Sequence, residues 1–271
     1  IIRSAGDVLE DCVFAISTMV RAGSFRPRLS EVSFGRVKDS GGTLGECEFA
    51  LPDGRTLSLD GKIDRLDVTD MDGKQTAIVF DYKRKDTSFG WPKFYHGLDM
   101  QLPIYMLAVR GATIIRIEDV AGAFYMPIET RPKKIALTEM QEKAGAFRHK
   151  AKGIFNGDCF RQLDNSDSNG FYNFFVTKKG DQYGYDSRSG ALRPEVFENM
   201  LRFSKETIIR LAQQITSGCI DVRPYRLNHD SPCSLCEYRS ICRFDPQINS
   251  YKLLESVNKV GVLDRLEVDD G

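Results

Sequence analysis

The chain has 271 residues, 41% hydrophobic and 28% charged, enough for one large domain or two small ones with an ample core; that balance excludes a disordered chain. No apolar run approaches the length of a membrane span, so no membrane partner is expected. Thirty-eight basic residues balance thirty-eight acidic ones, so net charge does not point to nucleic acid and only the distribution of charge bears on it.

The N-terminus, Ile1-Ile2-Arg3, has neither Met nor a signal-peptide layout, and the chain is expected to be a piece of something longer. Residues Asp7 to Val20 space Val8, Leu9, Val13, Ile16 and Val20 as one face of an amphipathic helix, ended by Gly23. Glu31 to Gly35 and Glu46 to Phe49 read as strands, joined by the turn Asp39-Ser-Gly-Gly42. Leu57, Leu59 and Ile63 surround Asp64 with apolar residues. Thr76 to Phe80 is a buried strand ending in Asp81-Tyr82-Lys83, three residues that packing alone would not choose. The linker from Val68 to Lys74 carries Asp-Gly turn chemistry, so these two segments are expected to pair and to set Asp64 beside Asp81.

Trp91 to Ala108 reads as a helix with Pro92 in its first turn, where the missing amide is harmless. Pro103 is expected to kink or break it near Met100. Gln101 and Tyr105, four residues apart, share one face if the helix continues; packing with Leu98 and Leu102 is the plainer reading of Tyr105 alone. Ile114 to Pro127 gives another strand. Thr138-x-x-Gln141 is a capping box opening a helix to about Lys152. Between Arg131 and Lys152 stand seven basic residues against Glu139 and Glu142, whereas residues 253–271 run acidic. A solvated face is the commoner explanation of such a cluster, and a DNA-backbone contact the functional one.

Phe171 to Val176, followed by Lys179-Gly180-Asp181, reads as a hairpin whose aromatics either pack on a sheet or stack on single-stranded bases. Val196 to Ser217 is a clear amphipathic helix with Phe197, Met200, Leu201, Ile208, Leu211 and Ile215 as its stripe, stopped by Gly218. Seven cysteines, odd in number and unevenly spaced, do not form a secreted disulfide framework; a reducing cytoplasm fits them. Cys233-x-x-Cys236-x5-Cys242 offers three thiolates to one soft ion and lacks the usual fourth ligand. His229 is the local candidate, for a zinc knuckle; Cys12, Cys47, Cys159 and Cys219 are more distant ones, and the helix pattern explains Cys12 as a small core side chain.

Two close carboxylates repel, and a cation between them relieves the repulsion. Hard oxygen ligands favour Mg²⁺ or Mn²⁺, which keep several waters and take further ligands from a substrate phosphate. Lys83 projects to the same side of its strand as Asp81, placed to orient or deprotonate the attacking water.

Asp64 followed by Asp81-x-Lys83 resembles the PD-(D/E)xK nuclease signature. Gly61-x-x-Asp64-Arg65 with Gln101-x-x-x-Tyr105 is similar to its RecB-type branch. Asp-x-Lys alone occurs by chance in any charged chain; the ordered set is far more specific. The cysteine segment resembles the C-terminal part of the iron-sulfur staple in AddB-type subunits of bacterial helicase-nucleases. The resemblance implies an α/β fold with a restriction-endonuclease-like αβββαβ core, a central mixed sheet flanked by helices, and a C-terminal helical and Cys-rich extension. It divides the chain into a nuclease domain at 1–220 (core about 1–130, elaboration 131–220), a staple segment at 221–250 and a tail at 251–271.

It further implies a cytoplasmic, divalent-metal-dependent exonuclease acting on DNA double-strand ends and single strands for recombinational repair, with an AddA-like helicase subunit as heterodimer partner. Asp64, Asp81 and the carbonyl of Tyr82 are the expected Mg²⁺ (or Mn²⁺) ligands. Lys83 serves the water, and Gln101 and Tyr105 support the DNA side. Cys233, Cys236 and Cys242 would hold a 4Fe-4S cluster in the complete protein, incomplete or absent here because the first cysteine of that family lies well upstream. RecB-like enzymes usually add a His ahead of the first Asp, but His96, His149 and His229 all follow Asp81; the ligand is expected either upstream of Ile1 or, as a substitute, at Glu31. No GxxxxGK[ST] loop is present, so ATP hydrolysis is not expected of these residues. The competing readings are an idle DNA-binding module and a zinc-stabilised interaction domain.

Overall fold

The computed structural model describes residues 2–36, 43–113, 116–129, 149–166, 170–176, 183, 184 and 189–268. Helix α1 (Ile2–Ala22) leads into strand β1 (Arg26–Phe34), a small antiparallel pair β2 (Glu48–Ala50) and β3 (Thr56–Ser58), and the long strands β4 (Gly61–Met71) and β5 (Lys74–Lys83). Helices α2 (Trp91–Tyr95) and α3 (Gln101–Arg110) follow, then β6 (Asp119–Pro127), β7 (Lys152–Asn156), the one-turn helix α4 (Phe160–Leu163) and β8 (Ala191–Leu192). Helix α5 (Pro194–Thr216), strand β9 (Tyr225–Leu227), the short helix α6 (Arg239–Cys242), β10 (Lys252–Leu254) and α7 (Lys259–Val268) complete the described chain.

Among the described residues, one six-stranded mixed sheet runs β1-β4-β5-β6-β7-β8. The β1–β4, β4–β5 and β6–β7 pairs are antiparallel; β5–β6 and β7–β8 are parallel. The parallel β5–β6 step requires a crossover, which α2 and α3 supply. Both faces of the central strands are covered, so β5 is apolar on both sides: Ala77 and Val79 enter one core, Ile78 and Phe80 the other. The first core holds Leu102, Met106 and Val109 of α3 and Phe197, Met200 and Leu201 of α5. The second holds Met19 of α1, Phe160 and Leu163 of α4, and a chain of aromatics through Phe124, Phe155, Tyr172 and Phe174.

Some expectations are met and others corrected. Helix α1 forms, but Cys12, Ala15 and Met19 face the sheet, while Leu9, Val13 and Phe14 are exposed. A helix with more than one apolar stripe turns inward the one whose small side chains permit close approach to the sheet. The helix at 91 to 108 is divided between Tyr95 and Gln101, with Gly97 at φ +75° in the break and Pro103 near the start of the second piece, where its missing amide does no harm. On α5, Ile215 is exposed. Phe171, Tyr172 and Phe174 are buried, so they pack and do not stack on bases.

The expected turn at 39–42 and most of the expected helix and basic cluster at 131–152 lie outside the described residues. At the end of that stretch Lys152 opens a strand, not a helix, and pairs with Asp86 at 2.6 Å. Residues 259–268, in the stretch assigned to a tail, form a helix that sends Val262 and Leu266 into the first core.

Strand β7 reaches the sheet only because it carries glycine. A Cβ on Gly153 would lie 1.9 Å from the Ala123 carbonyl oxygen, and one on Gly122 would lie 2.4 Å from Phe155 Cβ. Gly153→Ala is therefore expected to destabilise the fold by about 1–3 kcal/mol or more, since neither neighbouring backbone can give way. Urea denaturation should show the midpoint falling; an unchanged midpoint would contradict this account of the β6–β7 contact.

Candidate active site

The β4–β5 register, with Arg65 opposite Phe80 and Leu66 opposite Val79, brings Asp64 and Asp81 together at the next rung. Asp64 Oδ2 accepts a hydrogen bond from the Tyr82 amide at 2.7 Å, which ties the first carboxylate to the strand bearing the second. Asp81 shares a face of β5 with Val79 and Lys83, the face toward α3. Its side chain is buried, 2.6 Å from Lys83 Nζ through Oδ2.

Gln101, the first residue of α3, joins these groups. Its Nε2 donates to Asp81 Oδ1 at 2.8 Å and to Tyr105 Oη at 3.0 Å, and its Oε1 accepts from Lys83 Nζ at 2.9 Å. An ionised carboxylate only accepts and an ammonium only donates, so the amide orientation follows from its partners. The break ahead of α3 thus shapes the site: it starts a helical turn where Gln101 meets β5, with Tyr105 one turn on.

The first glycine of the Gly61-x-x-Asp64 stretch is explained by packing. A Cβ there would meet the Phe34 ring at 2.4 Å, and Phe34 in turn lies edge-on to Tyr105, 6.0 Å between ring centres. Glu31, weighed as a metal ligand, sits at φ +53° with an exposed carboxylate 2.9 Å from Lys62 Nζ.

Burial chiefly, reinforced by the nearby Asp64 charge, raises the Asp81 carboxyl above its ordinary range, against the pull of Lys83. Tyr105 is likewise raised, first by burial and then by Asp81 and Asp64. Although close to Lys83, buried Oδ2 of Asp81 makes no hydrogen bond of acceptable angle. A buried carboxylate with an unsatisfied oxygen, next to a second carboxylate, suits a divalent cation. Among the described residues no group of three or more His, Cys, Asp or Glu side chains gathers to hold a metal. Two carboxylates fit Mg²⁺, which takes one or two and completes its shell with waters and phosphate.

On the reverse face of the sheet stands a second constellation that sequence reasoning missed. Arg65 Nε donates to Asp67 Oδ1 at 2.6 Å, and its Nη2 to Asp67 Oδ2. Nη1 donates to Tyr82 Oη at 3.3 Å, and the guanidinium lies 4.6 Å over the Phe80 ring. Both side chains are almost wholly buried, at 7% and 2% exposure. The signal is present in the sequence as Arg65-x-Asp67, alternate residues on one face of a strand, but only burial distinguishes it from a surface pair.

Cys233, Cys236 and Cys242 line one hollow of about 280 Å³ with Arg239 and Tyr251. His229 lines a different hollow, so the His-Cys₃ knuckle is not formed. Cys12, Cys47 and Cys159 are buried, and Cys219 is exposed. Among the described residues the three thiols therefore have no fourth ligand, and the set does not make a complete cluster site.

A family model described as the PD-(D/E)XK nuclease superfamily matches residues 3–243, and the chain belongs to that superfamily. Its relatives are more particular. The B-type subunit of the ATP-dependent helicase/deoxyribonuclease of Clostridium perfringens (strain SM101 / Type A) is 29% identical over 258 residues, 91% of this chain and 22% of that protein. The protein of the same name from Clostridium botulinum (strain Loch Maree / Type A3) is 28% identical over 262 residues, 93% of this chain and 22% of the relative. That from Symbiobacterium thermophilum is 29% identical over 283 residues, 100% of this chain and 24% of the relative. The chain thus spans only 22–24% of the length of these curated relatives.

Removing one member of the reverse-face pair strands the other's charge in the core. Arg65→Met is expected to cost about 3–5 kcal/mol, and Arg65→Met with Asp67→Leu to recover most of it. Chemical denaturation of both variants measures this; a double variant as unstable as the single one would refute it.

Proposed function

We propose that this chain is the nuclease domain of an ATP-driven helicase-nuclease, a divalent-metal-dependent deoxyribonuclease that hydrolyses phosphodiester bonds as double-strand ends are processed for recombinational repair. The observation that carries the reading is the convergence of Asp81, Lys83 and Gln101 through hydrogen bonds and an ion pair of 2.6–2.9 Å, with Asp64 held alongside by the Tyr82 amide at 2.7 Å. Membership of the nuclease superfamily supports it.

In this reading Asp64, Asp81 and the Tyr82 carbonyl hold Mg²⁺ or Mn²⁺, which supplies Lewis-acid polarisation of the phosphate and a more acidic water. The chain's own residues do the positioning. Lys83, held between Asp81 and Gln101, orients the attacking water and offsets the negative charge that grows on the phosphate. Gln101 keeps both Asp81 and Lys83 in place, and Tyr105 braces Gln101 on the DNA side. The relatives' names join a helicase to a deoxyribonuclease, which supports a DNA substrate and a helicase partner. We extend the reading to an exonuclease on DNA ends and single strands, in the bacterial cytoplasm, beside an AddA-like helicase subunit.

Asp81→Ala is expected to lower Mg²⁺- or Mn²⁺-dependent DNA cleavage at least about 100-fold while leaving DNA binding largely intact. Equal cleavage by both proteins, or none by either in the complete subunit, would reject this reading; DNA binding with no cleavage would leave an idle DNA-binding module as the function.

We infer also that Cys233, Cys236 and Cys242 supply three thiolates to a 4Fe-4S cluster in the complete protein. Purified alone, the chain is expected to carry little iron; stoichiometric iron with strong, broad visible absorbance would overturn that expectation.

A further inference from the structure

Beside the carboxylates lies a hollow of about 610 Å³ that the catalytic assignment does not use. Lys83 and Tyr125 form its inner wall and Lys93 and Leu98 part of its side. Its far wall is contributed by residues more than a hundred positions away in the chain, Asn228, His229 and Asp230.

That far wall has a defined geometry. Leu227 and Asp230 exchange backbone hydrogen bonds at 3.0 and 2.9 Å, closing a two-residue turn. Asn228 takes the left-handed conformation such a turn demands, φ +55°, and its side-chain amide donates to Ser256 Oγ at 3.3 Å. Buried Leu227 anchors the turn, leaving exposed His229 at its tip.

The lining carries two ammonium groups, Lys83 and Lys93, against two carboxylates, Asp99 and Asp230, so an anion is attracted only where an ammonium can leave its partner. Lys93 Nζ lies 3.5 Å from Asp230, with side chains 49% and 71% exposed. A solvated pair of this kind is worth little, and the ammonium can turn to a phosphate. Asp99, the other acid here, is engaged: its Oδ2 accepts from the Gly90 amide at 2.8 Å and its Oδ1 from Tyr125 Oη at 3.1 Å. Leu98 and Pro92 offer apolar surface for a sugar or base. A recess of this size accommodates a single nucleotide.

We propose that this hollow is the subsite for the nucleotide flanking the scissile phosphodiester on the Lys83 side of a single strand, with Lys93 and His229 contacting its phosphate. The proposal rests on the nuclease reading, because Lys83 is the residue common to the hollow and the carboxylate site. It reassigns His229 from soft-metal ligation to substrate binding, and makes the segment leading into the cysteines part of the DNA-contacting surface.

The test uses Lys93→Ala and His229→Gln, both exposed side chains whose replacement should leave the unfolding midpoint unchanged. In an Asp81→Ala background, binding of a fluorescent oligothymidylate is expected to weaken by about 3–10-fold for each substitution, with Lys93→Ala also lowering the salt slope by about one. With Asp81 present, KM for the oligonucleotide should rise by a similar factor while kcat stays within about twofold. A neutral methylphosphonate one linkage from the cut should weaken the parent and not the double variant. Unaltered binding and KM, a loss confined to kcat, or no oligonucleotide binding by the parent would each overturn the subsite. A parent that binds but never cleaves would overturn the nuclease reading and reduce the hollow to a single-strand-binding site; normal cleavage with unaffected variants would overturn the subsite alone.

Discussion

Arg65 and Asp67 meet in a buried, two-point ion pair beneath the sheet, and the arrangement of the carboxylates above depends on it. Taking these two charges out of water costs more than their attraction readily returns; burial holds the Asp67 carboxyl above its ordinary range despite the guanidinium. Such a pair is a weak source of stability. What it supplies is position. Arg65 reaches from β4 across to Tyr82 Oη on β5, and each of its two anchors is the immediate neighbour of a site carboxylate: Arg65 follows Asp64, and Tyr82 follows Asp81. A one-residue slip of β4 against β5 would put Arg65 and Asp67 on the opposite face and separate Asp64 from Asp81 at the same time. The Tyr82 amide bonded to Asp64 on the upper face locks the same register from the other side.

Above the sheet, the polar groups are arranged so that one remains unsatisfied. Gln101 binds one oxygen of Asp81 and Lys83 approaches the other without proper hydrogen-bond geometry. Left so, the carboxylate is held in an environment that disfavours its charge, because burial and then the Asp64 charge push its pKa up. Such local cost suits the cation proposed above, and it is tolerable because the strands on which it stands are buried on both faces and rigid. The aromatic core beneath, from Phe80 through Phe124 to Phe155 and Phe174, gives those strands a fixed floor.

The site is also closed by chain from far away. The turn at 227–230 stands across a hollow from Lys83, and α7 packs on α5 and α2. Val257, Val262 and Leu266 belong to the same core as Val79 and Leu102. Parts of the C-terminal third, from Leu192 to Ile208 and from Val257 to Leu266, therefore belong to the sheet's first core, and the turn at 227–230 lines the hollow beside Lys83.

Much of this is legible in the amino-acid sequence. The apolar run Thr76 to Phe80 ending in Asp-Tyr-Lys, the Gly-x-x-Asp-Arg stretch, Gln101 four residues before Tyr105 and the break ahead of Pro103 are local patterns, decided by alternation along a strand, spacing on a helix and the missing amide of proline. They indicate the strands and helices around the motif and set the acidic pair and its lysine near one another, while the mixed sheet follows only from the family resemblance. The inward stripe of α1 is not legible, because periodicity identifies apolar faces but not which of them a sheet will accept. Strand β7 escapes as well, since five residues held in place by one glycine's close approach carry no periodic signal. Nor can His229 be placed from the sequence: its distance from Lys83 is set by how β9 and β10 seat a turn beside the carboxylates, a long-range contact invisible to local spacing. The sequence by itself determined which residues are candidates for the chemistry. Only the tertiary structure decided where they meet, because burial, register and the approach of distant segments are properties of packed surfaces and not of neighbours along the chain.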